Sequence, residues 1–440
     1  MKSINKNTPI DFEVVLKSIE NSGVKNIGTA SIREMCKLIN IIEEQTNKKF
    51  IRMEMGIPGY APNNIALNAE IEALKRGVAA TYSNIEGFSD LKQEMSKFVK
   101  NFLNVDVNSS CCLPVCGSMQ GTYACFLMLT KIWENRDTVL LIDPGFPVHK
   151  QQLNMLNIKS ERFDIFEYRG DKLKEKLESY LKKGNIHSLI YSNPNNPSWI
   201  CLTEYELKII GELATKYDVI VIEDLAYFGM DIRKDISKPG EPPYQSTVAK
   251  YTSNYILLIS SSKIFNYAGQ RISIMAISNE LYNREYSALV RFFKNNKFGH
   301  NMLFEHIYCL SSGTTHSGQY ALYEILKAVN KGEYNFVNDA IKYSEKAKVM
   351  KDLFMKNGFY LVYDNDMGDP LADGFFFTVN YPGFTGEELL ERLIYYGISA
   401  ISLKITGSDK EGIRVCVSFV QKEQFKELEK RLQLFNKHNS

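Results

Sequence analysis

What most constrains this chain is a repeated unit: a short apolar run, a polar or glycine-containing turn, and then a helical pattern. The runs fall at Cys111–Val115, Thr138–Ile142, Ser188–Tyr191, Val219–Ile222, Tyr255–Ile259 and Ser273–Ile277. Uninterrupted apolar runs of this length read as strands buried on both faces, and the helical stretches between them return the chain so that strands lie parallel. The expected fold class is therefore α/β, a three-layer αβα arrangement around a mainly parallel sheet. Open sheets of this kind place ligands beyond the C-terminal ends of their strands. Here those ends carry Gly117-Ser118-Met119, Asp143-Pro144-Gly145-Phe146, Ser192 to Trp199, Glu223-Asp224-Leu225-Ala226-Tyr227 and Ser260-Ser261-Ser262-Lys263.

At 440 residues the chain exceeds one simple core. Residues 11–22 and 31–47 have helical spacing without a strand beside them. Phe50–Met55 reads as a strand broken by the Gly56-Ile57-Pro58-Gly59-Tyr60-Ala61-Pro62 cluster. A helix over 64–76 and a polar loop at Tyr82–Gly87 follow, and Ser89 is expected to cap a helix to about Leu103. From about residue 320 the character changes. Long helical patterns at Gln319–Val329 and 333–357 precede alternating segments at Phe359–Tyr363, Gly374–Asn380, Ile398–Ser402 and Gly412–Phe419, with helices at 385–396 and 421–436. That is a smaller α+β unit. The expected division is 1–60 as an N-terminal arm and part of the small domain, 61–320 as the large ligand-binding domain, and 321–440 as an interdomain helix and the rest of the small domain. Residues 236–250 read as a loop insertion.

A formal net charge of +2 argues against a nucleic-acid partner. No apolar run reaches the roughly 18 residues of a membrane helix. Met1 to Lys6 lead into a polar segment without an apolar signal core, so a cytoplasmic location is expected. Cys111, Cys112 and Cys116 cluster, but no histidine or second cysteine pair answers them, and no metal site is expected. Cys125, Cys309 and Cys416 sit in apolar runs, where a buried reduced thiol is expected.

Three stretches ask for a ligand. Strand, small-residue turn and helix start at Gly117–Met119 aim unpaired amides and the positive helix end at one spot, the recipe for an anion site. Lys263, flanked by hydroxyls at the end of a strand and followed by Arg271, offers an amine for covalent chemistry beside a guanidinium for an anion. Arg414 lies inside the otherwise apolar Gly412–Val417, where burial costs free energy unless something pairs with it.

From about Arg52 to Phe419, these motifs stand in the order and spacing of the fold-type I aminotransferases of class I/II, the aspartate aminotransferase superfamily, which the chain resembles. The resemblance implies the three-layer fold of pyridoxal 5′-phosphate (PLP)-dependent transferases and a ping-pong transfer of an amino group from an L-amino acid to a 2-oxo acid. Lys263, Asp224 and Tyr227 become the expected catalytic residues. Lys263 would be the Schiff-base lysine that later moves a proton between substrate Cα and cofactor. Ser260, Ser262 and Arg271 would hold the phosphate, with Gly117, Ser118 and Met119 forming the other wall; methionine at the third position leaves only its N–H to contribute. Asp224 would pair with the pyridine nitrogen, with His149 supporting it. Tyr227 and Asn196 would meet the ring hydroxyl oxygen, and Phe146 would stack on the ring. Arg414 would grip the substrate α-carboxylate through two parallel hydrogen bonds. Tyr82 matches a tyrosine that reaches the neighbouring subunit's phosphate, which implies a homodimer with shared active sites.

Two departures bear on the substrate. The family's Asn-Pro-Thr-Gly turn reads Asn196-Pro197-Ser198-Trp199, and its early Gly-x-Gly-x-Pro loop reads Gly56-Ile57-Pro58-Gly59-Tyr60. Residues 298–320 contain no lysine or arginine, where dicarboxylate-specific relatives carry an arginine. The expectation is a neutral or aromatic amino acid, with Ile57, Tyr60 and Trp199 joining Arg414 and Asn196 around it. A PLP-dependent C–S β-lyase or amino-acid decarboxylase remains the alternative, and a PLP-sensing regulator a more distant one, since residues 1–50 are too short and charge-balanced for a DNA-binding module.

Overall fold

The computed structural model describes residues 5–440; Met1 to Ile4, part of the stretch read for a signal core, lie outside the described residues. Seven strands form the main sheet: β1 (Cys112–Val115), β2 (Thr138–Asp143), β3 (Lys159–Asp164), β4 (Ile186–Ser192), β5 (Ile220–Leu225), β6 (Tyr255–Ser260) and β7 (Ser273–Ile277). Their order is β1-β7-β6-β5-β4-β2-β3, and β7 alone runs antiparallel to its neighbours. Successive side chains alternate between two cores. Ile190, Ile222, Leu258 and Met275 pack with Phe126 on one face, whereas Leu189, Val221, Leu257 and Ile274 pack with Phe98 and Phe102 on the other. Burial on both faces is why these strands read as continuous apolar runs.

The helices that matter below are α1 (Phe12–Asn21), α2 (Ile32–Thr46), α3 (Asn64–Lys75), α4 (Ser89–Leu103), α5 (Gly117–Leu129), α6 (Pro147–Met155) and α7 (Asp171–Leu181). Two sequence expectations need correcting. Ser89 is the first residue of α4 and not its cap; Phe88 holds the cap position, with no side-chain bond to the helix. The Phe88 ring instead stacks on Tyr320 at 4.9 Å and meets Tyr323 edge-on at 5.5 Å, so apolar packing fixes that helix start. The second correction is the β3–α7 unit, which the sequence pattern did not reveal. In β3, Lys-Ser-Glu-Arg-Phe-Asp, only the last two residues are buried. A charged edge strand resists pairing with other chains but leaves no apolar signal.

A second, antiparallel sheet holds β8 (Tyr360–Leu361), β9 (Phe376–Asn380), β10 (Ile401–Ser402) and β11 (Ile413–Cys416), in the order β10-β11-β9-β8. The strand expected at Phe50–Met55 contracts to Ile51–Arg52, paired in parallel with Ile398–Ser399. Met35, Ile39 and Ile42 of α2 share a core with Leu393, Ile398 and Phe435. The N-terminal helices are thereby fastened to the C-terminal unit. No helix among the described residues is long and apolar enough to cross a membrane. The eight cysteines are free thiols, but Cys309 is exposed and not buried as expected, and Cys116 is half-buried.

Candidate active site

A cavity of about 730 Å³ is lined by the ends of β5 and β6, the starts of α2, α5 and α6, residues 55–57, and Arg414 of β11. The Ser260 hydroxyl closes β6 by accepting the Ser262 N–H at 3.2 Å, which starts a one-turn helix, Ser261–Ile264. That turn puts Lys263 on the cavity wall, its Nζ 5.8 Å from the Tyr227 ring centroid. Burial lowers the Lys263 pKa to about 8, against the pull of the Asp224 carboxylate. Burial likewise raises Asp224 to about 6, with Lys263 opposing. Burial thus shifts both groups towards neutral pH, the amine downward and the acid upward, as happens at functional sites.

Asp224 and Glu223 are neighbours on β5, so the strand pleat sends them to opposite faces. Glu223 points away from the cavity and accepts from the Thr247 hydroxyl at 2.5 Å and the Val248 N–H at 3.2 Å. Asp224 points into it and accepts the Ala226 N–H at 3.1 Å. His149 Nε2 stands 3.6 Å from Asp224 Oδ2, and burial keeps that imidazole neutral by pushing its pKa down to about 3. Tyr227 is buried, and burial drives its hydroxyl pKa far up.

The start of α5 forms the opposite wall. Gly117 has φ +72°, and a Cβ there would lie 2.4 Å from the Arg271 Nη2 atom. Only glycine lets the guanidinium lie against the helix start. Arg271 is held by a 3.0 Å bond from Nη1 to the Ala268 carbonyl. The Ser118 hydroxyl is buried with no partner. Free amides, an unsatisfied hydroxyl and a guanidinium converge there with Ser260 and Ser262, a set of donors suited to a phosphate.

Arg414 is buried at 1 % exposure. Nη1 donates to Asn196 Oδ1 at 3.1 Å and Nη2 to the Glu54 carbonyl at 2.6 Å, while the guanidinium lies 4.3 Å from the Phe376 ring centroid. Nε is buried with no partner, and among the described residues no carboxylate forms an ion pair with the group. An uncompensated buried charge costs several kcal/mol. A carboxylate brought by a ligand would offset that cost.

Of the other expected residues, Phe146, Ser118, Met119, Ile57 and Asn196 line the cavity. Tyr60 does not: it turns outward against Tyr343, 5.0 Å between centroids, and Lys346, 4.7 Å from its ring. Trp199 does not either. Fully buried behind Tyr227, it meets that ring edge-on at 5.3 Å and Phe376 at 5.9 Å. It adopts φ +63°, the left-handed conformation that glycine would take without strain, and Gly374 leaves room for its indole. The Gly56 loop bends tightly for the same kind of reason, since a Cβ on Gly59 would strike the Ser418 carbonyl. Tyr82 is 89 % exposed and takes no part in this chain's own cavity. The sequence reading missed Ser31, Ile32 and Arg33, which reach the cavity from the first turn of α2. The one available signal was Ser31-x-x-Glu34, the mark of a helix start.

The comparisons with known proteins agree with this geometry. Residues 48–432 match the family described as aminotransferase class I and II, and the chain belongs to it. A probable aspartate aminotransferase of Methanocaldococcus jannaschii is 25% identical over 359 residues, covering 79% of this chain and 86% of that one. An aromatic-amino-acid aminotransferase of Thermococcus litoralis is 21% identical over 212 residues, 45% of this chain and 47% of its own. The fold superposes on Thermus thermophilus aspartate aminotransferase with maleate at a TM-score of 0.74, with 14% identity, over 95% of this chain and 98% of that one. The protein is therefore an enzyme of the aminotransferase family, whose members use PLP. The unsatisfied Ser118 hydroxyl, the glycine-backed Arg271 and the lysine–carboxylate pair fit that cofactor.

Proposed function

We propose that the protein transfers the amino group of a neutral or aromatic L-amino acid to a 2-oxo acid. The observation that carries this reading is the buried Arg414 guanidinium, which has no ion pair among the described residues and an Nε without a hydrogen-bond partner, in the cavity that also holds Lys263 and Asp224. When bound, PLP supplies an aldehyde that captures amines and a ring that withdraws electrons from the captured amino acid's Cα. Arg414 binds and orients the α-carboxylate, with Asn196 fixing the guanidinium plane. Lys263 Nζ, its proton affinity lowered by burial, would take the substrate Cα proton and return it on the other side of the amino nitrogen. Asp224 would keep the ring nitrogen protonated, and the neutral His149 beside it leaves that carboxylate its charge. Tyr227 and Asn196 would bind the ring hydroxyl, Phe146 would cover the ring, and Ser118, Ser260, Ser262, Arg271 and the α5 amides would hold the phosphate. Ile32, Met55, Ile57 and Val148 offer an apolar wall to the side chain.

The active unit in this reading is a homodimer. Leu67, Ile71 and Leu74 form an exposed apolar stripe along α3, and Tyr82 is largely free of its own chain. Such a stripe is what a partner subunit covers.

The test is to mix the holoenzyme with single amino acids and follow conversion of the bound cofactor to its amine form by absorbance, with release of the matching 2-oxo acid. Neutral or aromatic amino acids should give the conversion. Pyruvate and ammonia released from cysteine-type substrates, without conversion, would overturn transamination in favour of β-elimination.

A further inference from the structure

We propose that Glu54 is a positioning residue for substrate binding: its buried side chain, clamped by Arg52 and Ser399, holds its own carbonyl against Arg414 and so aims the guanidinium at the substrate carboxylate. The inference rests on the reading of Arg414 given above and adds the residue that sets its direction.

Arg414 donates to two neutral oxygens, Asn196 Oδ1 from Nη1 at 3.1 Å and the Glu54 carbonyl from Nη2 at 2.6 Å. An oxygen can orient a guanidinium only if it is itself held still. The chain around residue 54 is leaving the Ile51–Arg52 pairing for the Gly56 turn. Met53 still donates its N–H to the Ser399 carbonyl at 3.0 Å and accepts the Cys416 N–H at 3.1 Å, and among the described residues the backbone pairing stops there. What anchors the next residue is its side chain. Glu54 Oε1 accepts from Arg52 Nε at 2.6 Å, and Oε2 accepts from the Ser399 hydroxyl at 2.5 Å. Arg52 and Glu54 stand two residues apart in extended chain, so their side chains share a face. Arg52 is held in turn from α2, donating to Asn40 Oδ1 at 2.8 Å and lying 3.5 Å from Glu43 Oε2.

Glu54 is fully buried. Taking a carboxylate out of water is costly, and exchanging such an ion pair for apolar side chains often leaves a protein as stable or more so. Stability therefore gives no reason for an acid at this point, whereas direction does. Helix α2, residues 51–54 and Ser399 meet at one carboxylate, and the carbonyl of that same residue touches Arg414. The charge of Glu54 acts on Arg414 as well: burial lowers the guanidinium's pKa, and Glu54 is one of the influences opposing that.

The test measures binding of the unreactive 3-phenylpropionate to wild type, Glu54→Gln, Ser399→Ala and Arg414→Gln holoenzymes, by calorimetric titration, with 3-phenylpropionamide as the uncharged control. Glu54→Gln should weaken carboxylate binding about tenfold and leave the amide unchanged. Ser399→Ala removes one bond, and should lose about threefold even if Glu54→Gln fails to fold. In the Arg414→Gln background the Glu54→Gln change should add almost nothing, because the two residues act as a unit. The PLP dissociation constant should stay within about twofold of wild type in both Glu54→Gln and Ser399→Ala, which a general loosening of the fold would not allow. Unchanged carboxylate binding in both variants, or a full loss repeated in the Arg414→Gln background, would overturn the proposal. So would carboxylate binding that does not depend on Arg414, since the reading beneath it then fails too. If no amino acid converts the cofactor, transamination alone fails, and the titrations still decide the role of Glu54.

Discussion

Gly117→Ala separates the contact between Arg271 and the helix start from mere backbone strain. Gly117 holds φ +72°, and placing an L-residue in the left-handed region costs about 1–2 kcal/mol. The added Cβ would also lie 2.4 Å from Arg271 Nη2 and 3.0 Å from its Cζ. Neither distance is tolerable, so the guanidinium must leave the α5 start. Because Arg271 is exposed, its departure costs the empty protein little. What goes is one charge-assisted bond to the cofactor phosphate, about 1.5–3 kcal/mol, or a rise of roughly 10- to 150-fold in the PLP dissociation constant. Gly23→Ala is the control. Gly23 has φ +74°, and nothing lies within 4 Å of the carbon it would gain, so it carries strain alone. Titrating cofactor-free protein with PLP by visible absorbance, alongside urea unfolding of the same preparations, reads both effects. Both variants should lose similar stability, and only Gly117→Ala should lose affinity. Undiminished affinity in Gly117→Ala would refute the contact argument, and equal losses of affinity in both variants would assign the effect to general destabilisation.

The Lys263 amine, with its pKa lowered to about 8 by burial, is charged below that pH and neutral above it. The rate of covalent PLP capture by cofactor-free protein should thus fall about tenfold per pH unit on the acid side and level off above pH 8; stopped-flow absorbance with a bend near the ordinary lysine value would contradict this. Trp199→Gly should relieve about 1–2 kcal/mol of strain at φ +63° but forfeit about 3–5 kcal/mol of buried indole packing. Urea unfolding should show a net loss of about 2 kcal/mol, and a gain in stability would show that the left-handed backbone outweighs the packing.

The main sheet was legible because parallel strands buried on both faces have to be apolar throughout, as Tyr255-Ile256-Leu257-Leu258-Ile259 is. β3 was not legible, because an edge strand needs only Phe163 and Asp164 buried and spends its other positions on solvent. The α4 start misled for a related reason. Serine at a helix start is a local signal, but the Phe88 ring found tertiary partners in Tyr320 and Tyr323 that outweigh it. Within the cavity, the chemical types were readable one strand end at a time: an amine after β6, an acid at the end of β5, a glycine turn after β1. Directions were not. Tyr60 and Trp199 are the right size and in the right loops, yet they face Lys346 and Phe376 and not the cavity.

The sequence by itself determined that the chain alternates strand and helix, and that groups able to hold an anion, a ring and an amine collect at one edge of the sheet. Those properties are local, set by residue type and period. Only the tertiary structure decided that Asp224 faces the cavity while Glu223 turns away, that Arg414 is buried with its Nε unpartnered, and that Arg33 stands on the same cavity wall. The first depends on how β5 is paired within the main sheet and the other two on how the N-terminal helices and the C-terminal sheet pack together through Ile51–Arg52 and Ile398–Ser399, and contacts between segments that far apart leave no trace in either segment alone.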